Sequence, residues 1–107
     1  MKFGLNTDIV KEIQKILSGF PKVETVIIYG SRAKGNYKPG SDIDLTFKGN
    51  NLNLNILNKI SLQFDDLLLP CTFDLSVFDQ IDNKELVNHI ERVGKIFYQK
   101  ELEKSIS

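Results

Sequence analysis

The sequence predicts an α/β or α+β sandwich, with a few strands in one sheet and helices to one side. Three observations predict it. Apolar residues recur at helical spacing in three separate segments. Two further segments, Asp42 to Phe47 and Cys71 to Phe78, alternate polar and apolar residues with a period of two. Between them in character stands Val26-Ile27-Ile28-Tyr29, an unbroken, β-branched run that reads as a strand buried on both faces.

Asn6 to Phe20 reads as the first helix. Asn6 or Thr7 can cap it, Ile9, Val10, Ile13, Ile16 and Leu17 form its apolar stripe, and Ser18-Gly19 with Pro21 ends it. Val23 to Tyr29 is the first strand. Ser31 to Gly35 begins a short helix, and Asn36 to Gly40 is turn material. Asp42 to Phe47 is the second strand, with Asp42, Asp44 and Thr46 on one face and Ile43, Leu45 and Phe47 on the other. Leu52 to Leu68 reads as a helix through Leu52, Leu57, Ile56, Ile60 and Phe64, closed by Pro70. Cys71 to Phe78 is the third strand, with Thr72, Asp74 and Ser76 opposite Phe73, Leu75 and Val77. Asn83 to Val93 is the last helix, stopped by Gly94; Lys95 to Tyr98 is a short edge strand. The short connection between the first two strands leaves their relative direction open.

A length of 107 residues is that of one domain, placed at 1–100 with a frayed tail over 101–107. Lys plus Arg and Asp plus Glu number 14 each, so the excess of positive charge that accompanies non-specific nucleic-acid binding is missing. No segment approaches the roughly 20 apolar residues of a membrane span, and the expected location is the cytoplasm. Cys71 and His89 are the only residues of their kinds, too few for a zinc site of thiolates and imidazoles. Cys71 reads as a small packing residue and His89 as a partly buried or surface side chain beside the Leu86–Ile90 stripe. Tyr29 reads as packing under the turn that follows it. Tyr37 would either stack on a base or face solvent, and Leu67-Leu68-Leu69 reads as core before partner surface.

The chemistry concentrates in Val26 to Leu45. A strand ends at Gly30-Ser31, a loop follows with Arg32, Lys34 and Lys38 and no acid, and the next strand brings Asp42 and Asp44 onto one face. If the third strand lies beside the second, Asp74 joins them. Carboxylates gathered this way repel one another, and a divalent cation relieves the repulsion. Mg²⁺ suits a few carboxylates plus water and phosphate oxygens. Glycine lets a backbone approach phosphate closely, and the Ser31 hydroxyl adds a donor. Taken singly, an Asp-X-Asp, a Gly-Ser turn and a basic loop are ordinary solvated features; in this order and spacing they form complementary halves of a metal–triphosphate site.

Gly30-Ser31, ten residues, then Asp42-Ile43-Asp44 resembles the signature of the DNA polymerase β-like nucleotidyltransferase superfamily. The version GSRAKG…SDIDL resembles its minimal nucleotidyltransferases in particular. The resemblance implies the polymerase β-like fold, a small mixed sheet with helices packed on one face. It implies transfer of AMP from ATP to a hydroxyl with release of pyrophosphate. Gly30 and Ser31, with Arg32 and Lys34, would bind the nucleotide; Asp42, Asp44 and Asp74 would ligate two Mg²⁺ ions, and Asp74 would help deprotonate the acceptor. It also implies a partner. Stand-alone members often act as antitoxins toward a helical HEPN toxin, by adenylylating a tyrosine, and the chain has no room for the acceptor domain of larger members. A homo- or hetero-oligomer would complete the site. Two other readings stand beside this one: an antitoxin that neutralises its partner by contact without catalysis, and an Asp-X-Asp glycosyltransferase, which leaves the Gly30-Ser31 placement unexplained.

Overall fold

The computed structural model describes residues 2–38 and 40–100, so the tail expected over 101–107 and Pro39 of the expected turn lie outside the described residues. The chain runs α1 (Thr7–Ser18), β1 (Val23–Tyr29), α2 (Ser31–Lys34), β2 (Ile43–Gly49), α3 (Leu54–Asp65), β3 (Phe73–Val77), a 3₁₀ turn (Phe78–Gln80), α4 (Lys84–Val93) and β4 (Lys95–Gln99). The strands form one mixed sheet in the order β3-β2-β1-β4. β1 is antiparallel to both its neighbours, β2 and β4. β2 and β3 are parallel, and α3 supplies the crossover that a parallel pair requires.

The same local device starts α1 and α3. Asn6 and Asn53 are the N-caps, and their side-chain oxygens accept from the backbone N–H of Asp8 and Ile56 at 2.7 and 3.0 Å. Leu5 and Val10 bracket the first cap and Leu52 and Leu57 the second, all four buried, so each helix entrance is pinned by a hydrophobic staple. α3 is therefore shorter than its apolar pattern predicted. Leu52 lies ahead of the cap, and the helix ends at Asp65 with Asp66 as its C-cap, after which the N–H groups of Leu67 and Leu68 bond back to Phe64 and Asp65. Leu68 takes a positive φ of 54° and is 87% exposed, which removes it from the core expected of Leu67–Leu69.

One face of the sheet carries the core. Val26 and Ile28 of β1, Ile43, Leu45 and Phe47 of β2, Val77 of β3 and Phe97 of β4 pack against Val10, Ile13 and Leu17 of α1 and Leu57, Ile60 and Phe64 of α3. Strand alternation sends Ile27 and Tyr29, Asp44 and Thr46, and Asp74 and Ser76 to the other face. Over β1 that second face meets α4, through the buried Ile90 and through Gly94, which lies against Ile27. β4 forms as the expected edge strand and carries one residue more, Gln99. No helix among the described residues is long and apolar enough to cross a membrane.

Candidate active site

The second face of the sheet is where the acids lie. β2 occupies an interior position, so Asp44 has a neighbour on each side: Tyr29 of β1 and Asp74 of β3 are its register partners. Asp42 precedes the strand rather than opening it, is exposed, and its Oδ1 accepts from the Thr72 hydroxyl at 2.6 Å. Asp44 is half-buried. Its carboxyl is pushed up from 3.8 to about 6, first by desolvation and then by the negative charges of Asp74 and Asp42. Asp44 thus feels the charge of both other acids. They do not close into a ready-made cage: among the described residues no three carboxylate, imidazole or thiol groups are gathered tightly enough to hold one cation.

Gly30 forms the facing turn. Its backbone has φ 76° and ψ −155°, a region that only glycine occupies readily. A Cβ at this position would overlap the Asp44 carboxylate. The glycine is therefore required twice, by its torsions and by the acid pressed against it. Ser31 then opens the single turn of α2, in which the N–H of Lys34 bonds to the Gly30 carbonyl at 3.1 Å. Lys34 and Lys38 are exposed beside this turn.

Arg32 is placed differently from the expectation of a phosphate contact. It is 5% exposed, and its guanidinium is committed to backbone carbonyls. Nε and Nη2 donate to Ser41 at 3.0 and 2.9 Å, and Nη1 donates to Phe3 at 2.8 Å. Ser41 is also held by Lys38, whose N–H donates to its Oγ at 2.8 Å and whose carbonyl accepts its N–H at 2.9 Å. Arg32 thereby anchors the residue that immediately precedes Asp42. Tyr37 is partly buried, and the Arg32 guanidinium lies over one face of its ring, 5.4 Å from the centroid.

Below the acids runs a small polar network. The Ser76 hydroxyl donates to Thr46 Oγ1 at 3.0 Å, the Thr46 hydroxyl donates to the Ser76 carbonyl at 3.4 Å, and Thr46 is fully buried. Burial raises the Tyr29 phenol above its usual value, and Asp74 and Asp44 raise it further against the opposing effect of Ser76. Two side chains join the site without a local sequence signal for their roles. Thr72, from the polar alternation of Cys71 to Phe78, donates to Asp42. His89 reaches over from α4: its Nε2 accepts the N–H of Gly30 at 3.3 Å, and its ring meets Tyr29 edge-on at 6.1 Å. Its position next to Ile90, at the margin of the apolar stripe, is visible in the sequence; the contact is not.

The chain's sequence matches the family described as "Polymerase beta, Nucleotidyltransferase" over residues 11–103. A relative from Methanocaldococcus jannaschii, named as a protein adenylyltransferase, is 31% identical over 90 residues, covering 71% of this chain and 91% of its own. The fold is similar to that of a chain in a toxin–antitoxin complex crystallised with AMP-PNP, with a TM-score of 0.68 and 18% identity over 91% of this chain and 76% of that one. It is also similar to a chain in the complex of a tri-AMPylated Shewanella oneidensis HEPN toxin with an MNT antitoxin, with a TM-score of 0.66 and 16% identity over 90% and 74% of the two chains. At these identities the two structures testify to the fold.

Proposed function

The chain belongs to the polymerase β nucleotidyltransferase family, and we propose that it transfers AMP from ATP to a hydroxyl of a partner protein, a tyrosine of a HEPN-type toxin, and so acts as a cytoplasmic antitoxin. The observation that carries this reading is the placement of Asp44. It stands between a register-paired Asp74 and the glycine turn, with Asp42 close enough to raise its pKa.

The donor set suits Mg²⁺. All three groups are hard carboxylate oxygens, Asp44 is destabilised as an anion first by burial and then by its acidic neighbours, and a cation would offset that penalty. Asp42, Asp44 and Asp74 would hold the metal, with two ions expected; when bound it supplies charge neutralisation for the triphosphate and for the oxygen that attacks. The residues of the chain do the rest. The Gly30-Ser31 turn receives the phosphates, with Ser31 donating from its hydroxyl and Lys34 adding positive charge. The acceptor hydroxyl forms a new bond to the α-phosphorus as the α–β anhydride bond breaks and pyrophosphate leaves. The hydroxyl proton passes to a carboxylate, with Asp74, the more exposed of the β2–β3 pair, in the role of base. Arg32 acts through Ser41, by fixing the approach to Asp42.

The test is label transfer. The chain is purified with the protein that binds it in its host and incubated with α-labelled ATP and Mg²⁺. The partner is expected to gain AMP, and Asp44→Asn is expected to lower the rate by about 10²–10³-fold, a loss of the size seen when a main electrostatic contributor is removed. Transfer that survives Asp44→Asn would sink the metal assignment. Neutralisation of the partner without ATP, undiminished in Asp44→Asn, would favour inhibition by contact alone.

A further inference from the structure

We propose that His89 is a positioning residue for nucleotide binding, one that acts through the backbone of Gly30; the inference rests on the nucleotidyl-transfer reading of the same site. Glycine is the residue with the most backbone freedom, and Gly30 must be held in a single unusual conformation for the turn to work. Its carbonyl is fixed from within α2 by the N–H of Lys34. Its N–H points the other way, to the face where α4 lies, and is taken by His89 Nε2. Both polar ends of the residue are therefore tied, and the Asp44 carboxylate occupies the space on the Cα.

α4 is set up to deliver that imidazole. Asn83 caps the helix by accepting from Glu85 and Leu86 at 2.9 and 3.2 Å, and Ile90 is buried against β1. Those two restraints fix the roll of the helix and bring His89, the residue before Ile90, against the end of β1. The Tyr29 ring limits the imidazole's rotation by meeting it at 78°. Because a backbone N–H can only donate, Nε2 is the unprotonated nitrogen, and the imidazole proton is on Nδ1. Ordering Gly30 before ATP arrives moves that conformational entropy out of the binding step, so loss of the bond should weaken nucleotide binding rather than change the chemical step.

The experiment measures binding of Mg²⁺-ATP to the full chain by calorimetry, with thermal melts and imidazole nitrogen NMR on the same samples. His89→Leu keeps an apolar side chain beside Tyr29 and removes the acceptor. It is expected to raise the Kd for ATP about fivefold, the worth of one ordinary hydrogen bond, with folding retained. His89→Gln, whose side-chain carbonyl extends about as far as Nε2, is expected to restore the Kd to within about twofold. The NMR spectrum of the wild type is expected to show the Nδ1-protonated tautomer. Unchanged ATP affinity in His89→Leu, or an Nε2-protonated ring, would overturn the proposal. Weakened binding in His89→Leu together with no label transfer by the wild type would retain the positioning role and remove the transfer reading. Transfer by the wild type with unaltered binding in His89→Leu would do the reverse, and a wild type that binds no ATP would remove both.

Discussion

Replacing Gly30 by alanine tests the geometry of the site more sharply than replacing an acid. Two separate penalties arise. At φ 76° and ψ −155° a residue with a Cβ is held in a sparsely populated region, at about 1–3 kcal/mol. The new methyl group also overlaps the Asp44 carboxylate, which must swing away at a further 1–3 kcal/mol or so, as in other overpacked sites. The expected total is about 2–6 kcal/mol, out of the ~5–15 kcal/mol that stabilises a domain of ordinary size. Gly35→Ala is the internal control. It too has a positive φ, 89°, but a Cβ there meets nothing within 4 Å, so it should lose only about 1–2 kcal/mol. The chain has no tryptophan, so urea unfolding would be followed by far-ultraviolet circular dichroism, with the difference read from the midpoint at constant slope. In an Asp44→Ala background the overlap disappears and the strain stays, so the Gly30→Ala penalty should fall by about 1–3 kcal/mol. Equal midpoints for Gly30→Ala and Gly35→Ala, or an unchanged penalty in the Asp44→Ala background, would refute the account of why this residue is glycine.

Arg32→Lys is expected to lower stability by about 2–3 kcal/mol, because an ammonium cannot reproduce the forked donation to Ser41 and the third bond to Phe3; a change below about 0.5 kcal/mol in urea unfolding would contradict the anchoring role. Without metal, the protein should become more stable as the pH falls from 7 toward 5 on account of Asp44. Its folded pKa of about 6 lies above the ordinary 3.8, so in that window the folded state binds the proton more tightly than the unfolded state, and the stability it forfeits at neutral pH returns as it protonates. Asp44→Asn should flatten this rise in thermal melts between pH 5 and 7 and should be more stable than the wild type at pH 7; a wild-type melting temperature that falls over the same range, with no difference from Asp44→Asn, would contradict the shift.

The elements that announce themselves by local chemistry were legible in the sequence. Each main helix has an asparagine at its start and an apolar stripe behind it, and the alternation of Asp42 to Phe47 and Cys71 to Phe78 assigned the acids to one face before any strand was paired. What the sequence left open was direction. Nothing between Tyr29 and Ile43 says that β1 and β2 run antiparallel, and only the pairing of Asp44 with Asp74 through the α3 crossover establishes them as neighbours. Side-chain destinations were harder still. Arg32 sits in a basic loop, and its burial depends on carbonyls of residues 3 and 41 that the fold brings within reach. His89 is separated from Gly30 by 59 positions, and no local pattern encodes that contact. α3 is shorter than its apolar run because the cap at Asn53 starts it after Leu52 and the backbone turn through Leu68 follows its end at Asp65.

The return of β4 to the side of β1 has a consequence for how the molecule assembles. Val26 pairs with Phe47 soon after it is made, but its other partner, Tyr98, follows about seventy positions later. Until then the strand that ends in the glycine turn is an open edge carrying Ile27 and Ile28, with its unpaired amides and carbonyls available to any other extended chain. A chain interrupted before Lys95 would keep Asp42, Asp44, Asp74 and the whole Gly30-Ser31 turn, yet leave the turn on a boundary strand free to fray or to associate. Closing that edge depends on a pairing of high sequence separation, the kind that forms slowly and leaves intermediates exposed to aggregation.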